Sequence, residues 1–278
     1  MKRLAVLGHP VSHSRSPAMQ TAALGALGLG GEWTYEAIDI EPGEFAERAG
    51  KLPGQGFVGV NVTIPHKQAA LELADDASEA AERIGAANTL SFRDGGIRAD
   101  NTDATGLLAA LPGPVEGRKA LVLGAGGSAR AAVWALAGRG APVSVWNRTP
   151  ERADELVRDL AAAGARTPAE GLLRPVSVEQ IAGNGYELII NCTAVGMRDE
   201  DPFDQLPLDP ERFDGDVVLV DLVYAGSEGR LVQEARRRGA TAVEGLEVLV
   251  RQGGDSLRIW TGMDPPLDVM RKAAGGGT

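Results

Sequence analysis

The chain has 278 residues, 44% of them apolar and 24% charged, with a formal net charge of −10. This is the length and composition of a globular protein with room for two ordinary domains, and the acidic balance argues against a nucleic-acid or anionic-membrane partner. A single cysteine, Cys192, excludes an intramolecular disulfide framework, and three scattered histidines leave no Cys/His cluster for a metal site of the structural zinc kind.

The basic start "MKRLAVLGHP" carries an apolar run too short for a signal peptide, and no stretch approaches membrane-spanning length, so the expectation is a cytoplasmic protein. In chain order, "RLAVLG" (3–8), "WTYEAIDI" (33–40), "GFVGVNV" (56–62) and "NTLSFRD" (88–94) read as strands, rich in β-branched and aromatic residues. Between them "SPAMQTAALGALGL" and "IPHKQAALELADDA" read as helices, with Pro17 and Pro65 near the first turns, where a missing N–H costs little. Alternating strand and helix predicts an α/β fold with a mostly parallel sheet.

The alternation restarts after the Pro/Gly-rich "LPGPVEGR" (111–118), which places a domain boundary near residue 104. "KALVLGAGG" is a strand and turn, "SARAAVWALAGRG" a helix ending in glycine, and "APVSVWNRT" the next strand. "PERADELVRDLAAAG", "ELIINCT", "DVVLVDLVY" and "EGRLVQEARRRG" continue the series. "GLEVLVRQGGDSLRIWTG" (245–262) is helical in pattern with no strand after it, and what it packs on is open.

"ALVLGAGGSARAA" satisfies G-x-G-x-x-A with Gly124, Gly126 and Ala129. Gly124 permits the tight turn, Gly126 lets backbone approach a pyrophosphate, and Ala129 allows close helix–strand packing. Backbone around Ala125, Gly127 and Ser128 then meets the phosphates at the helix start. An ordinary tight turn would contain the same glycines, but here strand and helix flank them as a doubly wound, Rossmann-like dinucleotide-binding domain requires. An NAD site expects an acidic residue at the end of the next strand, and this chain has "NRTPER" there. Arg148 is placed to meet a 2′-phosphate, Arg152 adds a second charge, and Asn147 and Thr149 can donate hydrogen bonds. NADP is the better reading, against that of solvated surface arginines beside an N-cap threonine.

A dinucleotide domain does not choose a substrate, so the first domain must. Its strand ends supply "GHPVSHSRSP", "NVTIPHK", "GAANT" and "ADNTDATG", polar groups where side chains of α/β sheets converge. These strings, with "GAGGSARAA", "WNRTPERA", "NCTAVGM", "DLVY" and "GLEVLVRQG", occur in the order found in the shikimate dehydrogenase family, which the chain resembles over essentially its whole length. The resemblance implies reduction of 3-dehydroshikimate to shikimate with NADPH, in aromatic amino-acid biosynthesis. It also implies a substrate domain of residues 1–103 plus 246–278 and an NADP-binding domain of 104–245, with the C-terminal helix returning to the first.

Roles follow from that resemblance. Ser14 and Ser16 would hold the substrate carboxylate through charge-assisted hydrogen bonds, although Ser16 could equally N-cap the helix at Pro17. Asn61, Thr63, Asn88 and Gln252 would bond ring hydroxyls or the carboxylate, and Tyr224 would contact the substrate. Locally, Thr63 and Asn88 also read as strand-end turn residues, and Tyr224 as a half-buried strand aromatic. Lys67 would supply the proton or positive charge that a forming alkoxide needs, with Asp103 orienting it; a snorkelling surface lysine is the plainer reading of Lys67. Oxidation would then be favoured by alkaline pH, where the amine is neutral. Leu222 and Gly245 would border the nicotinamide. His9, His13 and His66 take no proton-transfer role, and Cys192 is expected as a small buried group. Val248 departs from the family's usual methionine, and "AGSEGR" after Tyr224 lacks its usual proline and threonine. Rival readings are an NAD-using quinate/shikimate dehydrogenase and a non-catalytic NADP-binding sensor. Monomer or homodimer is not readable.

Overall fold

The computed structural model describes residues 1–164, 172–197, 200–224 and 228–275. The chain forms two compact units, Met1–Ala109 with Leu249–Thr278, and Ala110–Val248. Among the described residues no helix is long and apolar enough to cross a membrane.

The first unit opens with β1 (Lys2–Gly8), α1 (Ser16–Ala26), β2 (Trp33–Asp39), α2 (Phe45–Gly50) and β3 (Phe57–Val62). It continues through α3 (Lys67–Leu73), β4 (Asp76–Ala77), α4 (Glu79–Ile84), β5 (Thr89–Arg93), β6 (Gly96–Asp100) and α5 (Asp103–Ala110). The sheet order is β2-β1-β3-β5-β6-β4. β1 pairs in parallel with β2 and β3, but β5 lies antiparallel to both β3 and β6. The sheet is thus mostly parallel, as β4 also runs parallel to β6, and β5 is its one antiparallel strand. A two-residue turn joins β5 to β6: Asp94 (φ 53°) and Gly95 (φ 80°) both take left-handed backbone, the I′ hairpin geometry that Asp-Gly favours.

Register decides where polar residues emerge. Gly8 pairs with Asp39 and Leu7 with Val62, so the loops after β1, β2 and β3 leave from one end of the sheet. Asn61 pairs with Thr89, and Thr89 with Asp100, which brings the start of β5 and the end of β6 to that same end. Beneath it Leu7, Ile40, Phe45, Val60, Val62 and Leu90 pack in one buried cluster.

The second unit begins β7 (Ala120–Leu123), α6 (Gly127–Ala137), β8 (Val143–Trp146), α7 (Pro150–Ala162), β9 (Leu173–Pro175) and α8 (Val178–Ala182). There follow β10 (Leu188–Asn191), α9 (Pro202–Gln205), β11 (Val218–Asp221), α10 (Arg230–Arg237) and β12 (Thr241–Glu244). All six strands are parallel, in the order β12-β11-β10-β7-β8-β9. Every residue of β7, β10 and β11 is buried, as in a parallel sheet covered on both faces. The strand order reverses between β7 and β10, the switch point where such sheets hold ligands.

α11 (Gly245–Thr261) carries the chain back into the first unit, where α12 (Leu267–Ala274) packs against α1. The units divide at the last residue of α5, several residues past the expected cut near 104, because nearly all of α5 stays with the first unit. There Gly106 meets α11 so closely that a Cβ on it would lie 2.7 Å from the Cβ of Gln252.

Candidate active site

In the first unit, the loop after β1 is tied to the end of β2. Asp39 accepts the Val11 N–H at 3.0 Å and the His9 Nδ1–H at 2.7 Å, and the His9 bond holds its carboxyl below the usual carboxylate value. Beyond it Ser14 Oγ accepts the Ser16 N–H at 3.2 Å. α1 starts at Ser16 with Arg15 in the N-cap position, so Ser16 is not the cap that its place before Pro17 had offered. Its side chain is buried at the helix start.

The loop after β3 positions Lys67. Thr63, half-buried, donates its N–H to Leu7 O at 2.8 Å and sets its methyl against Gly8, where a Cβ would collide with it. His66 is buried under the loop: its Nε2–H donates to Ile40 O at 2.7 Å and its ring stacks on Phe45 at 4.6 Å. Burial lowers its pKa from an ordinary 6.5, disfavouring the charged ring in that slot. Lys67 follows as the first residue of α3, 8% exposed, and its Nζ reaches Asp103 Oδ2 at 2.6 Å.

Asp103 stands at the start of α5, where Asn101 Oδ1 accepts the N–H groups of Asp103 (3.1 Å) and Ala104 (3.3 Å). Its Oδ1 accepts from Asn88 Nδ2 at 2.9 Å, so one carboxylate bridges a lysine and an amide. Asn88 is oriented from both ends. A backbone donor, Thr102 N–H, holds its Oδ1 at 2.8 Å, and its Nδ2 also reaches Thr102 Oγ1 and Gln252 Oε1, each at 2.9 Å. Gln252, on α11, is buried and donates to Leu249 O at 3.0 Å. Asn61 is also buried, and its amide is engaged by Tyr35, Asn88 and Ser256.

Every candidate of the second unit follows a strand end. Gly124 has φ +107°, a conformation open to glycine, and a Cβ there would lie 3.2 Å from the Cys192 carbonyl. Ala125 is half-buried, Gly127 and Ser128 open α6, and a Cβ on Gly126 would meet nothing within 4 Å. The N-terminal N–H groups of α6 thus face space that a phosphate can enter. Arg148 and Arg152 are exposed and pair with no carboxylate among the described residues. Thr149 N-caps α7 without using its side chain, while Asn147 donates its Nδ2–H to Thr149 O at 2.8 Å. These residues fit NADP: a helix start for the pyrophosphate and two uncompensated guanidinium groups for the 2′-phosphate.

Gly245 has no room for a side chain. A Cβ there would lie 2.6 Å from Leu222 O, so the close approach is to the chain's own backbone. Leu222, Tyr224 and Cys192 are half-buried, and the loop after Tyr224 lies partly outside the described residues. The loops after β10 and β11 are joined by a buried pair that the sequence had not flagged. Asn191 Nδ2 donates to Asp221 Oδ1 at 2.8 Å and to Val195 O at 3.2 Å, and its Oδ1 accepts from Thr193 N–H and Oγ1–H. Burial pushes the Asp221 carboxyl up to about 6, against the pull of the Val223 N–H and the Asn191 amide.

Comparison with known proteins places the whole chain. Family models match in three blocks: a shikimate dehydrogenase substrate binding domain over residues 6–90, shikimate / quinate 5-dehydrogenase over 108–181, and a shikimate 5′-dehydrogenase C-terminal domain over 245–274. The chain is 42% identical over 274 residues to the shikimate dehydrogenase (NADP(+)) of Methanothermobacter thermautotrophicus, covering 96% of this chain and 94% of that one. The shikimate 5-dehydrogenase of Thermus thermophilus, solved with NADP(H) and shikimate, is 42% identical with a TM-score of 0.84, covering 99% of this chain and 98% of that one. A shikimate dehydrogenase solved with NADP+ superposes with a TM-score of 0.88 at 33% identity, covering 99% and 94%.

Proposed function

The chain belongs to the shikimate dehydrogenase family, and from that premise we propose that it reduces 3-dehydroshikimate reversibly to shikimate with NADPH, within aromatic amino-acid biosynthesis. The observation that carries the mechanism is the bridged carboxylate: Lys67 Nζ at 2.6 Å on one oxygen of Asp103, Asn88 Nδ2 at 2.9 Å on the other.

Bound NADPH supplies a hydride to the ketone carbon, and the electron pair of the C=O bond moves to oxygen. Lys67, as the ammonium, gives that oxygen a proton; in the reverse direction the neutral amine takes the hydroxyl proton back. Asp103 holds the ammonium in place and, through Asn88, is itself held. A half-buried carboxylate with two charge-assisted partners has little freedom to rotate, so Lys67 is pre-oriented before substrate arrives. Ser14 and Ser16 bind the substrate carboxylate, while Thr63, Asn88, Gln252 and Tyr224 bond its hydroxyls. In the second unit, Gly124 to Ser128 take the pyrophosphate, Asn147 to Arg152 the adenosine 2′-phosphate, and Leu222 and Gly245 border the nicotinamide. Arg148 and Arg152, without carboxylate partners among the described residues, favour NADP over NAD.

Lys67→Met tests the assignment. The variant should lower kcat by about 10²- to 10⁴-fold while KM for shikimate stays within about threefold, because the lysine acts on a transition-state charge. A kcat within about fivefold of wild type would remove Lys67 from the proton transfer.

A further inference from the structure

Resting on that reading, we propose that Ser256 and Asn61 are positioning residues for shikimate binding: they set the register of α11, and hence of Gln252, against the strands that carry Asn88, without touching the substrate themselves. Ser256 is fully buried, one helical turn beyond Gln252. Its hydroxyl has one proton and two acceptor sites. The proton goes to Gln252 O at 3.0 Å, a carbonyl that can only accept. The oxygen then accepts from Asn61 Nδ2 at 2.9 Å, with the hydroxyls of Thr89 at 2.8 Å and Thr102 at 3.1 Å beside it. The hydroxyl is thereby held among α11, β3, β5 and Thr102.

Asn61 closes the other side. Its two amide protons point to Ser256 Oγ and to Asn88 O at 3.2 Å, and its carbonyl oxygen accepts the Tyr35 hydroxyl at 2.8 Å. With both protons spent inside the protein and 5% of the residue exposed, Asn61 has no donor left for a ring hydroxyl. Its place in the strand-end string therefore reflects a role beneath the site, one residue layer from the ligand. The chain Tyr35–Asn61–Ser256 links β2, β3 and α11, and Gln252 Oε1 receives Asn88 at 2.9 Å from the end of α11 that this chain anchors. Gly106 serves the same approach from α5, since its missing side chain admits the Gln252 backbone.

Steady-state kinetics of Ser256→Ala and Tyr35→Phe test this. Each removes a hydroxyl with little change in volume. Ser256→Ala removes the 2.9 Å acceptor of the Asn61 amide and the oxygen that faces Thr89, and should raise KM for shikimate about five- to tenfold while kcat and KM for NADP+ stay within about twofold. Tyr35→Phe should raise the same KM by about two- to fourfold. In a Gln252→Ala background the Ser256→Ala effect should shrink to within about twofold, because it acts through Gln252. A purely structural role would lower thermal stability without this selectivity or this coupling. Unchanged KM for shikimate in both variants, or an undiminished Ser256 effect in the Gln252→Ala background, would overturn the proposal. Should Ser256→Ala not fold, Tyr35→Phe decides alone. A wild type that does not turn over shikimate would overturn the assigned activity and this proposal with it, an outcome distinct from failure of the variants.

Discussion

Asp221 is 2% exposed, and burial raises its carboxyl from 3.8 to about 6, so the native state disfavours the ionised form. Its contribution to stability is whole below 3.8 and is lost as pH rises through about 6. His66 works in the opposite sense. Burial lowers its pKa below 6.5, so its contribution is present above 6.5 and is lost as pH falls. Asp221→Asn removes the first effect alone and keeps an acceptor for the Asn191 amide. Its stability relative to wild type should rise by about 2 kcal/mol between about pH 4.5 and about pH 7.5, read from urea unfolding at each pH. An identical difference at both pH values would mean that Asp221 titrates alike in the folded and unfolded chains. Lys67, Asn88 and Asp103 are legible in the sequence because each lies in a short string of uncommon composition at a strand end. Tyr35, Ser256, Asn191 and Asp221 are not. Asn61 and Ser256 meet across 195 residues, and nothing local in "GGDSL" separates a network serine from an ordinary helix serine.

At the scale of elements, the helix and strand pattern was readable wherever hydrophobic runs were long. α11 shows this, since its apolar period extends over the full 245–261 span that the structure makes helical. Short elements escaped. β4 has 2 residues and β9 has 3, too few for period-two alternation to register. β6 escapes for another reason: the Asp94-Gly95 turn joins it to β5 as a hairpin, which lies outside the alternation of strand and helix. Helix α3 begins at Lys67, two residues after Pro65, because the loop from Thr63 to His66 closes on itself through a 3.0 Å backbone bond. Helix contacts, by contrast, depend on partners that no local pattern names. Gly106→Ala tests the tightest of them. Added volume against the Gln252 backbone should cost about 1–3 kcal/mol of stability and raise KM for shikimate. A stability change below about 0.5 kcal/mol with unaltered KM would mean that α5 and α11 can part without consequence.

For the whole molecule, division of labour between two units is what the repeated strand–helix alternation conveys. The chain leaves the first unit after Ala109 and re-enters it at Leu249, so residues that serve one site come from both ends of the sequence. That return was not readable from periodicity, which said only that 245–262 was helical; it came from the resemblance and from the packing of Gly106, Met19 and Gln20 around Gln252 and Gly253. In the proposed division, one unit binds shikimate and moves its proton through the Lys67–Asp103–Asn88 arrangement while the other selects NADP through Arg148 and Arg152. The measurement that tests it most directly is nicotinamide reduction by the purified protein, with shikimate and with quinate, each against NADP+ and NAD+. The account predicts turnover with shikimate and NADP+ and a large loss in each of the other three pairs. Equal turnover with NAD+ would make Arg148 and Arg152 surface residues, and no turnover with any pair despite NADP+ binding would leave Lys67 without a reaction to serve.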